Sequence, residues 1–129
     1  MNEKDVISEN GIRNYISDKS LPLNFHIYNS VDSTNIRMKE FAENDFPQWT
    51  VVISGSQTMG RGRLGRTFFS PSDTGIYMTI LLRPSFSLEN TVKITTAMAV
   101  AVSETIENIS GEKTDIKWVN DIYMSERKV

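Results

Sequence analysis

The sequence predicts an α+β fold: a mixed β-sheet with helices packed mainly on one face. Three observations carry this expectation. Helical and strand periodicities follow one another in the order helix, strand, helix, strand, loop, strand, helix, strand, strand. Two apolar runs, Trp49–Ser54 and Gly75–Arg83, read as buried strands. One long stretch, Leu88–Ser110, keeps its apolar residues on a helical face. A chain of 129 residues suits one ordinary domain, with 1–20 as a helical extension and 21–129 as the domain proper.

Each element has its own signal. Asp5–Asp18 carries Val6, Ile7, Ile12, Tyr15 and Ile16, which suggests a short helix interrupted near Gly11. Pro22 stops it, because the residue before proline avoids helical geometry. Leu23–Tyr28 alternates apolar and polar side chains, as a strand does, and His26 reads as an ordinary strand residue. Asp32, Ser33 and Thr34 are N-cap candidates for a helix with Ile36, Met38, Phe41 and Ala42 on its apolar face, ending around Asn44–Pro47. Gly55–Arg66 holds four glycines and no periodicity, so it reads as a loop. Pro84 closes the strand Gly75–Arg83.

Within Leu88–Ser110, the residues Val92, Thr95, Ala99, Val102, Ile106 and Ile109 fall on one face, and Gly111 fits a C-cap. Asp115–Val119 and Ile122–Met124 look like two further strands around the polar step Asn120-Asp121. Ser125–Lys128 reads as a hairpin turn with no return strand, so the sequence looks cut off at Val129. The methionines, including Met38, Met59, Met78, Met98 and Met124, read as core filling.

Composition removes several function classes. The chain is 39% hydrophobic and 23% charged, which is a globular balance. Its 14 Lys+Arg against 16 Asp+Glu give a net charge of −2, which disfavours a wholly basic nucleic-acid binder but allows a local basic patch. No cysteine is present, so disulfides, Cys-ligated zinc and thiol catalysis are excluded. The lone His26 argues against a His-cluster metal site or a Ser-His-Asp triad. The polar N-terminus has no apolar signal core and no stretch reaches membrane-span length, so the expected location is cytoplasmic, with no membrane partner.

Three segments can carry chemistry. Gly60-Arg61-Gly62-Arg63-Leu64-Gly65-Arg66 interleaves backbone freedom with guanidinium forks that match carboxylate and phosphate oxygens. It reads equally as an exposed Arg/Gly hairpin or a nucleic-acid contact, and it is not a Walker loop, because no Gly-Lys-Ser/Thr follows. Ser33-Thr34-Asn35 offers neutral hydrogen-bonding groups suited to a urea or amide, or plain helix capping. Lys117-Trp118-Val119-Asn120-Asp121 sets a lysine on a strand with two polar residues at its end, which is either a site or an Asn-Asp turn.

Taken in order, Ser33-Thr34-Asn35, Gln57, GRGRLGR, Phe69-Ser70-Pro71 and KWVND resemble the catalytic domain of the biotin protein ligases. The resemblance is collinear over about residues 24–129. It implies the fold shared with class II aminoacyl-tRNA synthetases. It also implies a two-step reaction: biotin and ATP give biotinyl-5′-AMP and pyrophosphate, and the biotinyl group then passes to a lysine of a biotin carboxyl carrier protein, as in acetyl-CoA carboxylase.

The resemblance assigns Lys117 and Arg63 as catalytic. It implies biotin binding by Ser33, Thr34, Asn35, Gln57, Arg61, Gly62, Arg63 and Lys128. It implies ATP and adenylate binding by Arg61, Arg63, Arg66, Phe68, Asn120 and Asp121. Mg²⁺ would arrive on ATP, so no dedicated metal cage is expected. A mobile arginine loop that orders on binding would keep water from the adenylate.

The sequence departs from the family pattern in places. Val119 stands where proline is usual, and Phe68 stands for a tryptophan that stacks on adenine. Ser54-Gly55 replace an Ala-Glu pair, and Leu64 replaces a frequent arginine. The family domain continues past the equivalent of Val129 into a further strand and a small barrel, so this chain reads as a partial domain. Residues 1–20 are too short for a helix-turn-helix, so neither a repressor role nor a nucleic-acid partner is expected. An open sheet edge makes a fragment that is unstable, inactive or homodimeric an alternative outcome. The other readings are a module that only binds biotin or nucleotide, a lipoate-ligase-type acyltransferase, and an RNA-contacting domain.

Overall fold

A computed structural model describes residues 6–129, so Asp5, the expected start of the first helix, lies outside the described residues. The chain forms two compact units, one up to Arg83 and one from Pro84 to Val129.

In the first unit the leading helix is shorter than expected. It is α1 (Glu9–Tyr15), and Gly11 does not interrupt it. Ser8 is the N-cap, and its hydroxyl accepts the Gly11 N–H at 3.1 Å, so the glycine sits in a capped first turn. Next come β1 (Asn24–Tyr28), α2 (Thr34–Glu43), β2 (Thr50–Ser54) and β3 (Tyr77–Ile80). They build a three-stranded mixed sheet in the order β1-β2-β3, with β1 parallel and β3 antiparallel to β2. β2 is central, and every residue of it is buried. A strand covered on both faces needs no alternation, which explains the continuous run Thr50-Val51-Val52-Ile53-Ser54.

β2 starts one residue later than expected, because Trp49 has φ 69° and turns the chain into the strand. α2 packs on β2 and β3 and buries Met38. The His26 ring packs against Phe41 and Phe46, with centroids 4.7 and 5.6 Å away. β3 is shorter than Gly75–Arg83 at both ends. Arg83 instead donates to the carbonyls of Ala42 and Phe46 at the C-terminal end of α2, where a cation suits the helix dipole.

The second unit holds α3 (Thr91–Ser110), β4 (Thr114–Lys117), β5 (Asp121–Met124) and β6 (Arg127–Lys128). Leu88–Asn90, counted as helix from the sequence, is a 3₁₀ turn leading into α3. Gly111 caps α3 at φ 74°, as its residue type predicts, and its N–H donates to Glu107 O at 2.9 Å. The strands form a separate antiparallel sheet, β4-β5-β6. β4 stops at Lys117 rather than Val119, and the Trp118–Val119 bond, at the family's proline place, is cis. A return strand does exist: Ser125 and Glu126 take φ 50° and 63°, which makes the turn that lets β6 pair with β5.

The inward face of α3 differs from expectation. Ala99 is buried as expected, but Val92, Val102 and Ile109 are exposed and Ser103, outside the expected face, is buried. Small side chains let the helix approach β4, and the Ser103 hydroxyl hydrogen-bonds the Thr114 hydroxyl. Apolar periodicity overlooked Ser103 because it is polar. The methionines also fill less core than expected: Met38 is buried, but Met59, Met78 and Met98 are exposed. No helix among the described residues is long and apolar enough to cross a membrane.

Glu107 joins the end of α3 to β4. Its carboxylate accepts the Thr114 N–H at 2.8 Å and a Lys113 Nζ proton at 3.2 Å. The Thr114 bond first, then Lys113, hold its pKa below the ordinary carboxylate value. A depressed carboxylate stabilises the fold above its unfolded pKa and loses that contribution as pH falls through the folded value. Glu107→Ala should therefore lower Tm at neutral pH, and the gap from the unmodified chain should shrink on acidification below the ordinary carboxylate range of about 4. Thermal unfolding across pH checks this; a gap independent of pH would refute it.

Candidate active site

Four of the residues expected to bind biotin, Ser33, Thr34, Asn35 and Gln57, follow the ends of the parallel strands β1 and β2, whereas Lys128 lies in the second unit. Carboxyl ends of parallel strands commonly hold ligands, because the following loops converge there. The chain leaving β1 reaches Ser33, Thr34 and Asn35, and the chain leaving β2 reaches Gln57. Val31 and Gln57 still pair in parallel register, and Gln57 pairs with Ser70 on its other side.

Gln57 organises the cluster. Its Oε1 accepts the Thr34 N–H at 2.8 Å and the Thr34 hydroxyl proton at 3.2 Å. Its Nε2 donates to Ser70 Oγ at 2.9 Å, and Ser70 Oγ donates to Phe68 O. A helix begins with orphan N–H groups, and here one is satisfied by a side chain from a distant segment. Ser33 holds the N-cap position with 1% exposure, yet its hydroxyl makes no capping bond. The capping expectation for Ser33 is thus corrected: position is kept and the hydroxyl has no capping role. The Ser33 N–H is held by Asp32 Oδ1 at 2.7 Å.

Thr79 on β3 also joins the cluster. Its hydroxyl lies 3.0 Å from Thr34 Oγ1 and 2.7 Å from Asn35 Oδ1, and donates to one of them at a time. Sequence reasoning missed Thr79 and gave Ser70 no role. The one threonine within the apolar run GIYMTILLR was the available signal for Thr79.

The arginine segment is more ordered than a bare loop. Arg61 pairs with Thr67, the Gly62 N–H donates to Arg66 O at 2.7 Å, and the Phe68 N–H donates to Gly60 O at 2.8 Å. Arg63–Gly65 forms a 3₁₀ turn at the tip, with Leu64 at φ 57° and 95% exposed. Arg61, Arg63 and Arg66 are exposed on this hairpin, and Phe68 is 49% exposed at its base. Gly60 is fixed there by space: a Cβ would lie 2.4 Å from Phe68 O and 2.5 Å from Ser70 Oγ.

The second unit brings Lys117, Asp121 and Lys128 together. β4 pairs Lys117 with Asp121 and Asp115 with Tyr123, and Tyr123 also faces Lys128 on β6. Directly paired residues share a face of the pleat, and residues two apart along a strand share it too. One face therefore carries Asp115, Lys117, Asp121, Tyr123 and Lys128. The opposite face, with Thr114 and buried Ile122, belongs to the packing against α3. Lys128 Nζ donates to Asp121 Oδ1 at 2.7 Å. Asn120 lies exposed in the β4–β5 connection. Among the described residues no group of three or more acidic or histidine side chains could hold a metal ion.

The mixed sheet, the helix entered from its parallel strands and the glycine-pinned arginine hairpin define an α+β domain of the protein-ligase class. The chain belongs to the biotin/lipoate A/B protein ligase family, whose model matches residues 27–129. It is 36% identical over 122 residues to the bifunctional ligase/repressor BirA of Bacillus subtilis (strain 168), covering 95% of this chain and 38% of that relative. The Escherichia coli (strain K12) BirA is 28% identical over 103 residues, covering 77% of this chain and 30% of that protein. The chain thus spans less than two fifths of the length of these curated relatives. Its fold is similar to that of the biotin protein ligase from Aquifex aeolicus in complex with biotin and ATP, with TM-score 0.73 and 37% identity over 82% of this chain and 44% of that one. The Leishmania major biotin protein ligase in complex with biotinyl-5-AMP gives TM-score 0.59 and 25% identity over 84% and 49% of the two chains.

The two hairpin glycines should respond oppositely to a methyl group. Gly60→Ala forces a clash with backbone and should cost about 1–3 kcal/mol of stability. Gly62 has φ −93° and only ordinary contacts at 3.5 Å or beyond, so Gly62→Ala should be neutral or gain about 0.4–1 kcal/mol. Chemical denaturation of both variants checks the pair; equal destabilisation would contradict the close approach at Gly60.

Proposed function

We propose that this chain carries the biotin- and nucleotide-handling part of a biotin protein ligase. The reaction is ATP-dependent activation of biotin to biotinyl-5′-AMP, followed by transfer to a lysine of a biotin carboxyl carrier protein such as that of acetyl-CoA carboxylase. The observation that carries this reading is the start of α2: Gln57 takes the capping bond, and the buried Ser33 hydroxyl at the cap position has no such role. A neutral polar cluster of this kind suits a ureido ring, which offers both donors and an acceptor. The biotin and ATP complexes of the similar Aquifex ligase support the same reading.

In this reading Ser33, Thr34, Asn35 and Gln57 orient the ureido ring. Arg61, Gly62 and Arg63 enclose the carboxylate side, with Lys128 as a further cation there. The first step forms a bond from a biotin carboxylate oxygen to the α-phosphorus and releases pyrophosphate. Both reactants are anions, so fixed positive groups must offset their repulsion and the charge of the transition state. Lys117 and Arg63 act on the reacting atoms, and Arg66 adds charge beside the phosphates. Phe68 offers an aromatic face to adenine in place of the usual tryptophan. In the second step the acceptor amine attacks the acyl carbon, AMP leaves, and the amine gives up a proton. Asn120 and Asp121 stand at the strand end where the nucleotide or that amine would be oriented.

Mg²⁺ bound to ATP would supply charge neutralisation on the phosphates. Such an ion would be held mainly by phosphate and water. Ordering of the arginine hairpin over the adenylate would exclude water and protect the mixed anhydride from hydrolysis.

Two substitutions test the assignment. Lys117→Ala should cut biotin-dependent ATP–pyrophosphate exchange by about 100- to 1000-fold, because it removes a transition-state cation. Ser33→Ala should raise the Kd for biotin by roughly tenfold while leaving Tm nearly unchanged, because Gln57 holds the helix start. Calorimetry and thermal unfolding read the second. Normal exchange by the Lys117 variant would overturn the catalytic assignment. Biotin binding without pyrophosphate release by the unmodified chain would reduce the function to binding.

A further inference from the structure

Lys117 Nζ lies 4.0 Å from the centroid of the Tyr123 ring. The two are diagonal neighbours on one sheet face, since Tyr123 pairs with Asp115, two residues before Lys117. Diagonal pairs of this kind reach each other when one partner is aromatic and the other long. The ring also faces Lys128 across the β5–β6 pairing. Lys128 is directed to Asp121 by a 2.7 Å hydrogen bond, and the Lys117 ammonium is the cation over the ring.

A lysine side chain has four rotatable bonds, so an exposed ammonium samples a wide volume. An aromatic face beneath it attracts the charge through the ring quadrupole and narrows that volume. The attraction needs no acceptor atom. It therefore leaves the ammonium protons free to donate, which a carboxylate partner would not do.

We propose that Tyr123 is a positioning residue for Lys117: its ring face holds the ammonium above the β4–β5 surface with its protons available to an anionic substrate. The inference rests on the assignment of Lys117 to the adenylation step. Tyr123 itself touches no reacting atom, and its hydroxyl is not required.

Fluorination of the ring tests this at nearly constant shape. Tyr123→Phe in the full chain should retain the pairing. Incorporation of mono-, di- and trifluorophenylalanine at position 123 should then lower kcat for adenylate formation stepwise, to about a fivefold loss, with KM for biotin and ATP unchanged. NMR gives a readout independent of activity: the Lys117 ε-methylene protons should be shifted upfield by the ring in the unmodified and Tyr123→Phe chains, and that shift should vanish in Tyr123→Leu. Absence of the upfield shift in the unmodified chain, or a kcat indifferent to fluorination, would overturn the proposal. Failure of the ligase reading looks different: no exchange by the unmodified chain, with the ring-induced shift intact.

Discussion

The carboxamide of Gln57 joins three stretches of chain that are far apart in sequence. Its oxygen receives two protons from Thr34 at the start of α2, and its nitrogen gives one to Ser70 beyond the arginine hairpin. Each such bond contributes modestly on balance, about 1 kcal/mol, yet leaving a buried partner unsatisfied costs about 1–3 kcal/mol. The network is therefore close to all-or-none. With it intact, the exit of β1, the exit of β2 and the return of the hairpin share one geometry. Gly60 completes that geometry by letting the hairpin backbone come within contact distance of Ser70.

The two units solve the same problem differently. In the first, polar side chains converge because two parallel strands end side by side, and the central strand behind them is entirely buried. In the second, an antiparallel hairpin sorts its residues by parity, apolar toward α3 and charged away from it. The first unit supplies neutral hydrogen-bonding groups and guanidinium cations; the second supplies ammonium groups and carboxylates.

Elements with a strong local signal were legible in the sequence. The central strand showed as a β-branched run, α2 showed as a capped amphipathic stretch, and Gly111 marked the end of α3. The family pattern singled out Lys117, Asp121 and Lys128 separately, and it is the hairpin register that brings them to one face. What stayed hidden depended on partners distant in the chain. No local spacing could show that Gln57, not Ser33, would cap α2. The turn before β6 was legible, but β6 itself was missed because Arg127 and Lys128 were counted in the turn, which Ser125 and Glu126 complete alone. The inward face of α3 was misjudged because Ser103 and Thr114 satisfy each other, so a polar residue behaves as a packing residue. The division of the strands between two sheets likewise has no local signature.

The parity of the β4–β5 hairpin limits how this part of the chain can drift. Lys117 and Asp121 lie on one side of the pleat, and Ile116 and Ile122 on the other. Slipping the pairing by one residue would exchange the two sets, sending charge into the helix-packed layer and grease into solvent. Within β4 or β5, then, a single residue gained or lost reverses the phase of everything beyond it unless a bulge absorbs the change, whatever the chemistry of that residue.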